Sequence, residues 1–135
     1  MFLQPKKYKY KKIRKGKLHR LEPKQNQLRF GTIGLKITIS TIITARQIEA
    51  ARQAISRKIK KKGKIWTRVF PALPITSKSV SARMGKGKGN LSHWGAKVKK
   101  GTLIFEICGV KDAKIIKSAL KTGGAKLPVR TRISK

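Results

Sequence analysis

The stretch Arg83-Met84-Gly85-Lys86-Gly87-Lys88-Gly89-Asn90 gathers the residue types that handle phosphate. Glycines reach backbone angles closed to other residues and let the main chain approach a ligand, while Arg83, Lys86 and Lys88 add positive charge. Ordinary flexible loops share this alternation, so the rest of the chain must decide between the two readings. The stretch lacks the Gly-Lys-Ser/Thr ending of a nucleotide P-loop and runs into an apolar, strand-like segment instead of a helix, which argues against nucleotide hydrolysis. Acid–base catalysis has no better support. Glu22, Glu49, Glu106 and Asp112 are scattered over a basic segment, a helix, a strand and a helix start, and none neighbours Arg83. His19 and His93 stand far apart, and Cys108 sits in an apolar strand pattern with no adjacent base. No enzyme, metal or cofactor is expected.

Charge narrows the partner. The chain of 135 residues carries 36 Lys+Arg against 4 Asp+Glu, a formal net charge of +32. Self-repulsion on that scale opposes any compact state until a polyanion neutralises it, and nucleic acid is the commonest such polyanion. An acidic membrane surface is the lesser alternative, but no apolar run approaches the roughly 18 residues that suggest a bilayer span and the apolar residues are spread through several short elements, so no membrane partner is expected. With 39% hydrophobic residues the chain can bury a core, and one domain is expected. A lone cysteine allows no intrachain disulfide, and Cys108 reads as a small core residue in a chain compatible with a reducing compartment.

The elements that must hold the glycine-lysine stretch can be read in order. Residues 1–27 form a basic arm containing Lys6, Lys7, Lys9, Lys11, Lys12, Arg14, Lys15, Lys17 and Arg20. The arm has too little apolar periodicity to offset its ordering entropy alone, so it is expected to be extended and to order on RNA. Tyr8 and Tyr10 could stack there on bases or sugars, or anchor the arm to the domain. The segment shows neither a transit-peptide nor a secretory-signal pattern and reads as part of the mature protein. Residues 28–135 form the globular domain. From Leu28 to Ile43 the alternation predicts two short strands joined by a turn. Thr44 and Gln47 then make a capping-box pattern, opening a helix with Ile48, Ala51, Ile55 and Ile59 on one stripe, Lys60, Lys61 and Lys62 in its last turn and Gly63 as its stop. At about 100° per residue, Arg46, Gln53, Arg57, Lys60 and Lys61 fall opposite that stripe. A solvated face is the ordinary explanation, but this one carries almost no acid.

Residues 63–71 alternate Ile65, Thr67 and Val69 with Trp66, Arg68 and Phe70, a strand ended by Pro71 in which Trp66 and Phe70 are expected in the core rather than stacked on bases. Pro71 and Pro74 turn the chain towards a short strand at residues 79–83, followed by the basic loop at residues 83–93. Trp94 to Val98 and Leu103 to Cys108 read as antiparallel strands joined around Lys99-Lys100-Gly101. A final helix begins near Asp112, packs through Ala113, Ile115, Ile116, Ala119 and Leu120, and is weakened at Gly123 and Gly124; an extended segment follows, with Arg130 and Arg132 pointing the same way. The fold class is α+β: a mainly antiparallel sheet, two packed helices and an extended basic N-terminal arm.

Together these motifs resemble a known family. Leu3-Gln4-Pro5-Lys6, Phe30-Gly31 with Gly34-Leu35-Lys36, Thr44 through Arg52, Gly63-Lys64-Ile65-Trp66-x-Arg68-Val69-Phe70-Pro71, Pro74-Ile75-Thr76, Arg83 through Asn90, and Ala125-Lys126-Leu127-Pro128 are similar, in order and spacing, to the L-sixteen family of bacterial-type large-subunit ribosomal proteins. The resemblance spans nearly the whole chain. It implies a structural, non-catalytic ribosomal protein that binds large-subunit rRNA and helps shape the aminoacyl-tRNA site. The implied rRNA contacts are the arm lysines and arginines together with Arg46, Arg57, Lys60 and Lys61. Arg83, Met84, Gly85, Lys86, Gly87, Lys88 and Gly89 are implied to reach the peptidyl-transferase region and bound tRNA. Neighbouring ribosomal proteins are implied partners, and no homo-oligomer is expected. Gly123-Gly124 replaces a more helical Ala-rich run of the family, and Val98-Lys99-Lys100 is more basic than common.

Composition also bears on location. Lys outnumbers Arg 26 to 10 and Ile outnumbers Leu 16 to 10, biases that suit a coding sequence poor in G and C. With the family-like start at Met1, the expectation is an organelle-encoded mitochondrial protein, with plastid or bacterial cytoplasm as alternatives. The rival from another class is a free basic protein that packages nucleic acid or acts as an RNA chaperone, using the same charge without a fixed site.

Overall fold

The computed structural model describes residues 3–18, 21–60 and 62–135. Its elements run β1 (Ile33–Ile37), β2 (Thr41–Thr44), α1 (Ala45–Lys58), β3 (Lys64–Thr67), β4 (Leu73–Ser77), β5 (Asn90–Val98), β6 (Leu103–Cys108), α2 (Ala113–Gly124) and β7 (Thr131–Ser134). Among the described residues, two helices and wholly antiparallel pairing give an α+β fold, as the sequence pattern indicates.

The strands form two sheets rather than one. The larger has the order β3-β6-β1-β7 and the smaller β2-β5-β4. Hence β1 and β2 do not form a hairpin, and β5 and β6 do not pair with each other, although each pair is adjacent in sequence. Alternation reports that a segment is a strand, not which strand it joins. The two short links that cross between the sheets are tied together: Gly101 N donates to Ile37 O at 2.8 Å, Ile37 N to Thr102 O at 3.0 Å, and Lys100 N to Ser40 Oγ at 2.9 Å.

Helix α1 begins where the capping box places it. Thr44 Oγ1 accepts from Gln47 N, and Gln47 Oε1 accepts from Thr44 N at 2.9 Å. Ile48, Ala51 and Ile55 are buried. The helix ends earlier than expected, at Lys58 with Ile59 as its cap, because Lys60 takes a left-handed conformation (φ 51°). Arg57 and Lys58, in its last turn, therefore face the negative end of the dipole.

Strand β3 buries Val69 just beyond its end, but Phe70 is 53% exposed and Trp66 only half-buried and outside the core cluster, correcting the core assignment of these aromatics. The next strand is Leu73–Ser77, and residues 79–83 form no strand. Pro74 is accommodated because β4 is the edge of the smaller sheet, where no inner ladder bond is lost. Gly123 and Gly124 are the last two residues of α2, so the helix ends where the glycines are expected to weaken it, and both are buried. A Cβ on Gly123 would fall 2.5 Å from Ile55 of α1, so the glycine lets the helices approach closely. Ile115 is 41% exposed and Ala113 exposed, leaving Ile116, Ala119 and Leu120 as the packing stripe. Cys108 is only partly buried. The core joins β1, β6, α1 and α2 through Leu35, Phe105, Ile55 and Leu120.

Candidate nucleic-acid interface

The glycine-lysine stretch forms most of the connection between β4 and β5, whose last pair is Ser77 with Asn90. Arg83, Met84, Gly85, Lys86, Gly87 and Lys88 are exposed and Gly89 is half-buried, with Met84 95% exposed at the tip. Gly85, Lys86 and Gly87 all have positive φ, at 89°, 51° and 82°. A Cβ on Gly85 or Gly87 would meet no atom within 4 Å, so conformation, not crowding, calls for glycine there. Successive left-handed residues turn the chain sharply, and Lys78 Nζ donates to Gly85 O across the turn. The result is an exposed, sharply turned cationic loop.

The arm meets this projection. Lys12 Nζ donates to Lys88 O at 2.8 Å, and Lys88 Nζ donates to Ile13 O at 2.7 Å, a reciprocal clasp between positions 75 and 76 residues apart. Tyr8 packs edge-on against Trp94 with ring centroids 5.1 Å apart, so it anchors the arm, whereas Tyr10 is exposed with Lys9 Nζ 5.5 Å from its ring centroid. Further along, Glu22 N donates to Lys100 O, and Leu103 N donates to Gln25 O. Lys6, Lys7, Lys9, Lys11, Lys12, Arg14, Lys15 and Lys17 are all exposed, and residues 3–18 hold no helix or strand. Arg20 and Lys61 lie outside the described residues.

Arg46, Arg57 and Lys60 are exposed along α1 and its end. Arg57 and Lys60 line a shallow cleft of about 390 Å³ with Arg52, Gln53 and Ser56, while Arg46 borders a separate groove of about 840 Å³ between the start of α1 and β5. Arg52 is partly neutralised: its Nη2 lies 2.6 Å from Glu49 Oε1. That hydrogen bond holds the Glu49 carboxyl below its ordinary range against the opposing effect of burial. The cleft offers donors suited to phosphate oxygens and no enclosed reaction chamber. Among the described residues, no three His, Cys, Asp or Glu side chains gather to hold a metal, and no helix is long and apolar enough to cross a membrane.

A second feature, built around Glu106, is not marked by any motif in the sequence. Glu106 is fully buried in β6, where its Oε2 accepts from the backbone N–H groups of Arg29, Phe30 and Gly31 at 3.2, 2.8 and 2.8 Å, and its Oε1 pairs with Arg68. Burial pushes the Glu106 carboxyl up, but the three amides and the guanidinium outweigh it and hold the group below its ordinary range. A lone acid inside the apolar run Leu103–Cys108, in a chain with only 4 acids, was the available signal that a cation and amides must converge there.

These basic surfaces can be set beside known proteins. The pattern of the family described as "Ribosomal protein L16p/L10e" matches residues 5–134. "Large ribosomal subunit protein uL16" from Cereibacter sphaeroides (strain ATCC 17029 / ATH 2.4.9) is 52% identical over 131 residues, covering 97% of this chain and 95% of that protein. Proteins of the same name from Caulobacter vibrioides (strain NA1000 / CB15N) and Bartonella bacilliformis (strain ATCC 35685 / KC583 / Herrer 020/F12,63) are 50% and 49% identical, covering 97% and 96% of this chain and 91% and 94% of theirs. With both comparisons spanning nearly its full length, the chain belongs to the ribosomal protein L16p/L10e family.

Proposed function

We propose that this chain is a structural, non-catalytic constituent of the large ribosomal subunit, bound to its rRNA and neighbouring proteins. The observation that carries the reading is the near-full-length likeness to proteins named as large-subunit ribosomal components. The chain's charge of +32 gives the physical reason to bind rRNA. At finer scale, the arm residues and Arg46, Arg57, Lys60 and Lys61 contact large-subunit rRNA, while Arg83 through Gly89 reaches tRNA at the aminoacyl site beside the peptidyl-transferase region. The exposed, glycine-turned tip supports the second assignment, because glycines without side chains let a cationic turn enter a crowded RNA cavity.

The test is reconstitution of large subunits with and without the chain. Subunits lacking it are expected to accommodate aminoacyl-tRNA poorly, with recovery when the chain is added back; equal accommodation in both would overturn the aminoacyl-site assignment. We place the ribosome in a mitochondrion, on the Lys and Ile bias alone; the relatives named above are bacterial, which favours the competing bacterial cytoplasm. Fractionation of the source cells decides, with recovery from mitochondrial ribosomes supporting the placement and recovery from a bacterial cytosol overturning it.

A further inference from the structure

The outward face of β3 forms a second ordered surface, which meets the end of the arm where Arg68 Nη1 donates to Gln27 O at 3.4 Å. Lys64, Trp66 and Arg68 follow at two-residue spacing along and just past an edge strand. Phe30 lies almost parallel to Trp66, at 19°, with ring centroids 6.1 Å apart, and remains 54% exposed. Lys64 Nζ stands 5.3 Å from the Trp66 ring centroid, and Arg68 Cζ stands 5.2 Å from that of Phe30.

This ring is held on the surface by a buried charge. The Glu106 carboxylate fixes the backbone of Arg29, Phe30 and Gly31, and its partner Arg68 lies over the Phe30 ring. The backbone at Gly31 runs so close to β6 that a Cβ would fall 2.8 Å from Ile107 N. Removing a carboxylate from water is costly unless it is fully paired, and hydrophobic packing alone would draw a phenyl ring inward. The arrangement instead presents a rigid aromatic face among exposed cations, including Arg29 and Lys64.

We propose that Phe30 and Trp66 form a stacking platform for an unpaired RNA base, with Lys64 and Arg29 neutralising the adjoining phosphates. The proposal rests on the RNA-binding reading and names a binding mode within it. Unpaired RNA bases are recognised by stacking on aromatic rings, and the exposed cations Arg29 and Lys64 beside these rings suit a polyanion.

The test compares binding of a short oligoadenylate with an abasic strand of equal length at low salt, for the wild type and for Phe30→Ala, Phe30→Leu and Phe30→Trp. Phe30→Ala is expected to weaken the base-bearing strand about tenfold and leave the abasic strand unchanged. Phe30→Leu keeps apolar contact with Trp66, guards against a folding defect, and should show the same selective loss; Phe30→Trp should retain wild-type binding. Equal loss on both strands, or no loss on either, would overturn the platform. A wild type that binds neither strand would overturn the RNA-binding reading itself. Unchanged RNA selectivity together with lost binding of Phe30→Ala to neighbouring ribosomal proteins would assign the face to a protein.

Discussion

Glu106 shows how a single residue can organise surface and core together. Replacing it with Gln would leave Arg68 buried without its counter-charge, and Glu106→Gln is expected to cost about 3 kcal/mol at neutral pH, measured by urea unfolding. Because the folded carboxyl titrates below its ordinary range, its contribution is fully present above about pH 4–5 and is lost as pH falls through the lowered folded value. The difference between wild type and Glu106→Gln should therefore shrink in acid; a difference independent of pH would contradict the assignment. The sequence placed Glu106 in a strand but not its partners, because Arg29, Phe30 and Gly31 lie at least 75 positions away and only the fold brings them near.

At the scale of elements, local signals read well and pairings did not. The Thr44–Gln47 capping box and the isoleucine stripe fixed the start and face of α1, because both are contacts within a few residues. Its end was misplaced because Lys60, not Gly63, occupies the first left-handed position after the helix, a site that ordinarily favours glycine. Lys60→Gly is accordingly expected to stabilise the fold by about 1 kcal/mol, seen as a raised melting temperature. The glycines of α2 mark its end as the sequence indicates, but their close packing on a neighbouring helix is something periodicity does not report. Gly123→Ala should destabilise by about 1–3 kcal/mol, since the added methyl meets Ile55, and an unaltered melting temperature would contradict the close packing. The clasp likewise joins two segments read separately. Lys12→Ala should speed amide exchange across residues 84–88, whereas unchanged exchange would show that the arm does not support the loop.

For the whole molecule, charge was legible from composition, but its arrangement was not. A net +32 indicates a polyanionic partner without showing that the arm and loop interlock, or that the α1 face and the β3 face are presented separately. Many independent phosphate contacts make affinity fall steeply with salt, with a log-log slope of roughly 0.7 per phosphate neutralised on a single strand. Replacing Lys7, Lys9 and Lys11 with Ala should then flatten the slope by roughly 2 if each neutralises one phosphate, with the circular dichroism spectrum unchanged. The most direct test of the ribosomal assignment is sedimentation of the native protein from a lysate at moderate salt. Co-migration with large ribosomal subunits is predicted, and recovery with bulk DNA, or as free protein, would contradict the assignment.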